Sequence, residues 1–309
     1  GTVAVRVPVM RPAEINMGPY TSVAVGEMRG RGDRAMSDAL EEALVSTQRF
    51  QVVDREHMSS TMRELQLSST DLADPRMASK LGRVVAAGAI IYGDVDEKYS
   101  EFPGEDRFKE KDGTDHVSYR LRGETTVRAT FKVVDVSTGR LLIAKTYEER
   151  RDETNRATDA RPPPIDRDSL ANNARRAVLE RFVKAIVPHQ EYVYARFVKD
   201  SDIPQLEGGI GYAERGDWGK AEETFNAALS AAERNPKIGA KQLSHGYWDL
   251  GLSYEYAGDY DKATRMVQKA YDLGQEKDYL GELDGIRRLQ ADAKRVAEQA
   301  PPPEAQGAR

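Results

Sequence analysis

An internal repeat in the C-terminal third constrains the fold of this chain more than any other feature. Residues 209–228 and 251–270 share one pattern: Gly-x-x-Tyr, then Gly-Asp-aromatic, with an alanine 12 residues after the first glycine. Glycine and alanine at helix crossings let two helices approach closely, and Gly-Asp is typical of the turn between them. The pattern predicts two stacked helical hairpins.

This order of small and aromatic residues resembles the tetratricopeptide repeat (TPR). The second copy also carries Tyr247 and Leu250 at the family's positions. In the first copy, Gly208 stands where the family usually has leucine. The copies are 42 residues apart, more than the usual spacing of about 34, because residues 235–244 lengthen the junction. The alternative is two helical hairpins that share packing residues by coincidence. A helix near residues 278–298 is expected to cap the stack.

The resemblance implies a groove on the inner face of the repeats, and an exposed Trp248 beside Tyr256 would be its peptide anchor. The alternative is that Trp248 only packs against the adjoining helix. Ile210 and Ala213 share the inner face. The candidate partner-binding residues are Glu214, His245, Trp248, Leu252, Glu255 and Tyr256.

The first 190 residues alternate between strand-like and helix-like patterns, which predicts an α/β (α+β) sandwich. Two charged segments interrupt the pattern: 97–118 is expected to be an insert and 149–167 a loop. The apolar alternation at 118–136 and 141–148 predicts a hairpin. The other expected strands are at 3–9, 22–28, 50–53 and 89–95, and the expected helices are at 33–48, 55–65, 75–85 and 168–187.

Four motifs in this half occur in the order of a known family. They are Phe-Gln-Val-Val-Asp-Arg at 50–55, Lys-Leu-Gly at 80–82, Gly-Ala-Ile-Ile-Tyr-Gly-Asp-Val at 88–95 and Val-Val-Asp-Val-Ser-Thr-Gly-Arg-Leu-Leu at 133–142. Over residues 22–187 the order resembles the CsgG-like domain of the curli-secretion lipoproteins. The resemblance implies a periplasmic lipoprotein at the outer membrane of a Gram-negative bacterium, with domains that pack into rings. A lipidated cysteine before Gly1 would be its only membrane contact.

Pore-forming members of that family also contribute two amphipathic hairpins to a membrane barrel, and such strands need one apolar parity. Here, segment 97–118 has 11 charged residues of 22, and segment 147–169 has 12 of 23. The charges occupy both parities, so the sequence predicts that these segments do not insert. The longest apolar run, 84–92, is too short for a helix that crosses a bilayer, which needs about 20 residues.

The sequence predicts no catalytic, cofactor-binding or metal-binding residues. It has no cysteine, and His57, His116, His189 and His245 lack ligand spacing. His57 follows Asp54, but that aspartate is better explained as a helix N-cap than as an acid–base partner. The glycines at 30–32 and 208–211 lack the setting of a phosphate-binding loop, and the net charge of −5 argues against nucleic acid.

The expected organisation is a CsgG-like domain at 1–190, a connector at 191–202, TPR-like repeats at 203–298 and a disordered tail at 299–309. The expected function is a non-catalytic envelope scaffold: its first domain docks or forms a ring, and its repeats bind a protein partner. The alternative is a periplasmic subunit of an export channel whose barrel another protein supplies. An enzyme of unrecognised type is the third hypothesis.

Overall fold

The computed structural model describes residues 1–303, which divide into two compact units. The repeat unit comprises Gly1–Pro12 and Pro188–Glu298, and the sheet unit comprises Ala13–Val187 and the residues from Gln299 onward. The sequence pattern predicts a first domain at residues 1–190. Residues 1–12 lie in the repeat unit instead, because their strand pairs with the strand at 189–198 along its full length.

The described residues form the following elements. The strands are β1 (Thr2–Arg11), β2 (Ser22–Arg29), β3 (Gln51–Val53), β4 (Ala89–Lys109), β5 (Asp115–Asp135), β6 (Leu141–Thr158) and β7 (His189–Val198). The helices are α1 (Asp33–Ser46), α2 (Arg55–Glu64), α3 (Pro75–Val85), α4 (Arg167–Ile186), α5 (Leu206–Glu214), α6 (Trp218–Glu233), α7 (Ala240–Ala257), α8 (Tyr260–Gly274) and α9 (Lys277–Glu298). The α/β unit followed by helical hairpins confirms the predicted fold class.

The sheet unit is built on five strands in the order β3-β2-β4-β5-β6. β2 is parallel to β3 and β4, while β4, β5 and β6 are antiparallel. Alternate residues of a strand point to opposite faces, so Val23 and Val25 pack with α1 and α4, and Ala24 packs with α2 and α3. Asp54 accepts a hydrogen bond from the His57 amide at 2.7 Å, which confirms the predicted N-cap of α2.

The charged segments of the sheet unit are strands, so the predicted insert and loop are wrong in this respect. β4 continues to Lys109, and residues 149–158 belong to β6. Together with residues 115–127 of β5, residues 97–109 and 149–158 form a three-stranded antiparallel extension, here called the polar ribbon. Pairing between the strands satisfies the hydrogen-bonding groups of the backbone, while the charged side chains stay in water. Some of these side chains also pair across strands: Arg120 and Asp106 are 2.6 Å apart.

In the described residues, the repeat unit consists of the two-stranded sheet β1-β7 and the helices α5 to α9, of which α5, α7 and α9 pack against the sheet. The predicted turns are present: Gly258 ends α7 with φ of 90°, a left-handed conformation that suits glycine, and Asp259 caps α8. The inner side chains of the sheet, Val5, Val7 and Phe197, share one core with Phe225 and Trp248. α9 confirms the predicted final helix.

The tail expected from residue 299 begins with an ordered residue. Gln299 is only 4% exposed, and its side-chain amide exchanges two hydrogen bonds with the backbone of Ala13, at 2.8 and 2.9 Å. Residues 304–309 of the predicted tail lie outside the described residues. Across residues 1–303, no helix combines the length and the apolar character needed to cross a membrane.

Candidate partner-binding surface

Trp248 lies inside the repeat unit. Its indole ring stacks on Tyr279 of α9 with centroids 4.4 Å apart, and its Nε1–H donates to the carbonyl of Arg196 in β7 at 2.8 Å. Only 6% of the residue is exposed. The prediction that Trp248 is an exposed peptide anchor is therefore wrong, because β7 and α9 cover this side chain.

The other predicted groove residues are also largely covered. Leu252 belongs to the core, Glu255 is buried, and Tyr256 packs against Trp218 with ring centroids 5.8 Å apart. His245 Nδ1 lies 2.6 Å from the carboxylate of Asp200. Only Glu214 is exposed. The role of the six residues in partner binding stays a prediction.

Two buried carboxyl groups lie on α7. Burial raises the pKa of Asp249 well above its usual range, although one oxygen accepts the Val198 amide at 2.8 Å. Burial also raises the pKa of Glu255, and its hydrogen bond with Glu282 of α9 and the charge of that neighbour act in the same direction. Two neighbouring carboxyl groups such as Glu255 and Glu282 are stable together when they share one proton. Sequence reasoning missed Asp249, because one acidic residue in a helical pattern resembles a solvated position.

The exposed side of the β1-β7 sheet is a different kind of surface. Alternation places nine exposed residues on it, here called the outer face: Thr2, Ala4, Arg6, Pro8, Met10, Gln190, Tyr192, Tyr194 and Arg196. Tyr194 is 67% exposed, Tyr192 49% and Met10 45%. The Arg6 guanidinium lies over the Tyr192 ring, 3.6 Å from its centroid. Sequence reasoning could have found this face, because Val3, Val5, Val7 and Val9 alternate with the exposed residues.

The sheet unit has a groove of its own between α1 and α4. It encloses about 760 Å³ and is lined by Ala39 and Leu179, with Asp38 and Glu42 opposite Arg175. In residues 1–303, no three or more histidine, aspartate or glutamate side chains are grouped so that they could hold a metal ion.

The fold defines an α/β domain joined to a helical repeat of the kind that binds proteins. Residues 16–161 match the family model of the curli production assembly/transport component CsgG, and residues 208–276 match a tetratricopeptide repeat model. The chain thus carries a CsgG-like domain followed by tetratricopeptide-type repeats, as the sequence motifs predicted.

Solved structures with similarity to this chain include three bacterial proteins. Lipoprotein GNA1162 from Neisseria meningitidis is 16% identical, with a TM-score of 0.32 over 53% of this chain and 98% of that one. A PelC dodecamer from Paraburkholderia phytofirmans is 16% identical, with a TM-score of 0.27 over 58% and 96%. The LpoB C-terminal domain from Escherichia coli is 18% identical, with a TM-score of 0.25 over 42% and 82%. No curated protein sequence matches the chain.

Proposed function

We propose that this protein is a non-catalytic lipoprotein scaffold of the Gram-negative cell envelope. Its sheet unit docks or oligomerises at the outer membrane on the periplasmic side, and its repeat unit binds a protein partner. The observation that carries this proposal is the joining, in one chain, of a CsgG-like domain to tetratricopeptide-type repeats. The name of the first family refers to assembly and transport. Helical repeats of the second kind commonly form extended binding surfaces.

The sheet unit offers two features that suit docking. In the polar ribbon, residues 97–109 of β4 and residues 149–158 of β6 form the two edge strands, and edge strands carry backbone groups that can pair with another chain. The charged side chains along both edges limit indiscriminate pairing and favour a partner with complementary charges. The groove between α1 and α4 is a second surface with both signs of charge.

The test is photo-crosslinking of the full chain in the envelope of its native host. A crosslinking amino acid replaces exposed residues of each unit in turn: Arg107 on the ribbon, Tyr194 on the outer face, and Gly219 at the start of α6 as a matched exposed control. We expect a discrete product of defined mass from Arg107 and another from Tyr194, and none from Gly219. A chain that fractionates away from the envelope and gives no discrete product from either site contradicts the proposal.

The second candidate is a subunit of an export channel whose membrane-spanning part another protein supplies. The word transport in the matched family description favours it. In that case, the Arg107 product contains an outer-membrane channel protein, and deletion of this chain stops export of a substrate. A product that contains only periplasmic proteins or copies of this chain contradicts the channel hypothesis.

A further inference from the structure

The outer face of the β1-β7 sheet has an unusual charge composition for this chain. Two of its nine residues, Arg6 and Arg196, are cations, and none is a carboxylate. The whole chain has a net charge of −5. A carboxylate-free surface with two exposed arginines is therefore a local positive region on an acidic protein, and it favours partners of opposite charge.

The same face presents large side chains that the core does not require. Tyr192 and Tyr194 point away from the helices. Ala195 and Phe197, which lie on the opposite face of β7, belong to the core. Met10 is also exposed. Tyrosine, arginine and methionine are the residues enriched in protein interfaces, because they combine large contact area with a polar or adaptable group.

Arg6 is held in place before any partner arrives. Its guanidinium lies over the Tyr192 ring, with Cζ 3.6 Å from the ring centroid, and Arg6 is also the cross-strand neighbour of Tyr194. A guanidinium over an aromatic ring still has N–H donors in its own plane, and a carboxylate can bind them with two parallel hydrogen bonds. Arg196 follows two residues after Tyr194 on the same face, so Tyr194 has one arginine as its cross-strand neighbour and another as its neighbour along the strand.

The dimensions of the face fit a segment of chain better than a folded domain. From Ala4 to Met10 the face is about 20 Å long, and its two strands make it about 10 Å wide. A stable interface between domains buries about 800 Å² on each partner, which exceeds such a strip. A second copy of this chain is disfavoured as well, since a two-fold contact brings together two copies of a face whose only charged residues are arginines.

We propose that the outer face binds an extended, acidic segment of a partner protein. Glutamate or aspartate side chains of the segment pair with Arg6 and Arg196, and its apolar side chains pack on Tyr192, Tyr194 and Met10. This inference rests on the proposed function, because it names the partner chemistry of the repeat unit. It favours a protein over nucleic acid, because two arginines provide fewer phosphate contacts than the six to ten or so of typical nucleic-acid complexes.

The test uses fluorescence anisotropy with the full chain and three labelled probes. The first is a ten-residue peptide in which glutamate alternates with leucine and threonine, the second has lysine at each glutamate position, and the third is an oligothymidine of ten nucleotides. We expect saturable binding of the glutamate peptide that weakens as salt screens the charges, and no binding of the other two. Equal binding of the lysine peptide or of the oligothymidine overturns the proposal.

Variants locate the site. Arg6→Glu combined with Arg196→Glu is expected to weaken glutamate-peptide binding by about tenfold or more, and Tyr194→Ala by several-fold. The matched control combines Arg265→Glu with Arg287→Glu, which changes the charge of the same unit equally at two exposed helix positions. Each variant is first shown to retain the circular dichroism and melting temperature of the wild type. Equal loss of affinity in the control and in the outer-face variant overturns the assignment to this face.

The outcome separates the inference from the proposed function. A discrete envelope crosslink from Arg107 together with no glutamate-peptide binding overturns only the acidic-segment inference. Binding of the peptide by a chain that gives no envelope crosslink leaves the outer face as a peptide site and contradicts the scaffold.

Discussion

The indole N–H of Trp248 donates to the main-chain carbonyl of Arg196 at 2.8 Å, and this bond ties α7 to β7 across the repeat unit. The next residue, Asp249, accepts the amide of Val198 at 2.8 Å. Adjacent residues of one helix therefore bind consecutive backbone groups on the edge of β7 that is not paired with β1. The chain's own sheet occupies the position that a peptide would take in an open groove.

Replacing Trp248 tests this arrangement. Trp248→Ala removes a buried ring and is expected to lower the free energy of unfolding by about 3–5 kcal/mol. Trp248→Phe keeps an aromatic stack on Tyr279 but leaves the Arg196 carbonyl without its donor, at an expected cost of about 1–3 kcal/mol. Trp218, the other of the two tryptophans, lies in the same unit and reports its unfolding by fluorescence in urea. A Trp248→Ala protein of unchanged stability would contradict the buried, stacked position of the ring.

The sequence predicted the helices of the repeat unit but not what covers them. Local spacing of glycine, aspartate and alanine determines the hairpins, since each interaction lies within about 40 residues. Pairing of β1 with β7 joins residues that are 178 (Arg11 and His189) to 196 (Thr2 and Val198) positions apart, and no local pattern encodes that partner. The alternation of valines from Val3 to Val9 is typical of a half-buried strand, but it does not identify the helices that bury the strand.

The glycines of α5 give a matched pair of substitutions. An added Cβ at Gly209 would lie 2.3 Å from the Phe225 ring, whereas one at Gly211 would meet nothing within 4 Å. Gly209→Ala is expected to cost about 1–3 kcal/mol through overpacking. Gly211→Ala is expected to stabilise the same helix by about 0.5–1 kcal/mol, because alanine loses less backbone entropy. Urea titrations followed by tryptophan fluorescence measure both, and equal effects would show that close helix packing does not select glycine here.

The polar ribbon shows a second limit of sequence reasoning. Its strands lack the alternation of apolar and polar residues that marks a half-buried strand. Both faces of the ribbon meet solvent for much of its length, so neither face needs apolar side chains. What identifies residues 97–109 and 149–158 as strands is the cross-strand pairing with β5, which a search for amphipathic periodicity does not detect. For the same reason, these residues resemble an insert and a loop in the sequence.

The base of the ribbon is held by an ion pair between Glu97 of β4 and Arg175 of α4. Arg175 donates twice to the carboxylate, once at 3.1 Å, and the two side chains are only 14% and 15% exposed. A double-mutant cycle with Glu97→Gln and Arg175→Gln is expected to give a coupling energy of about 1–3 kcal/mol. Hydrogen exchange of the α4 amides measures the stability of each variant.

The neighbouring pair Arg31–Asp96 is the control for that cycle. Its atoms are 2.7 Å apart, yet its side chains are 68% and 55% exposed, so solvent screens the attraction. We expect a clearly smaller coupling energy from the cycle of Arg31→Gln and Asp96→Asn. Similar coupling in both cycles contradicts the role assigned to burial at the ribbon base.

Stability of the repeat unit should depend on pH through Glu255. Burial and the nearby Glu282 raise the pKa of Glu255 above its ordinary value of 4.5. The folded protein therefore keeps a proton that the unfolded chain releases above about pH 4.5, and stability present at low pH is lost as pH rises towards the folded pKa. Each pH unit in this window costs up to about 1.4 kcal/mol per proton.

Glu255→Gln isolates this contribution. The amide can donate to the Glu282 carboxylate as the shared proton does, and it does not titrate, so the variant is expected to lose much less stability than the wild type between about pH 5 and about pH 9. A residual slope of the same sign remains from Asp249, whose pKa is also raised by burial. Glu223→Gln, at an exposed position of α6, should retain the wild-type slope. Urea titrations followed by tryptophan fluorescence across this range decide the matter: parallel curves for wild type and Glu255→Gln would mean that the pair carries no shared proton.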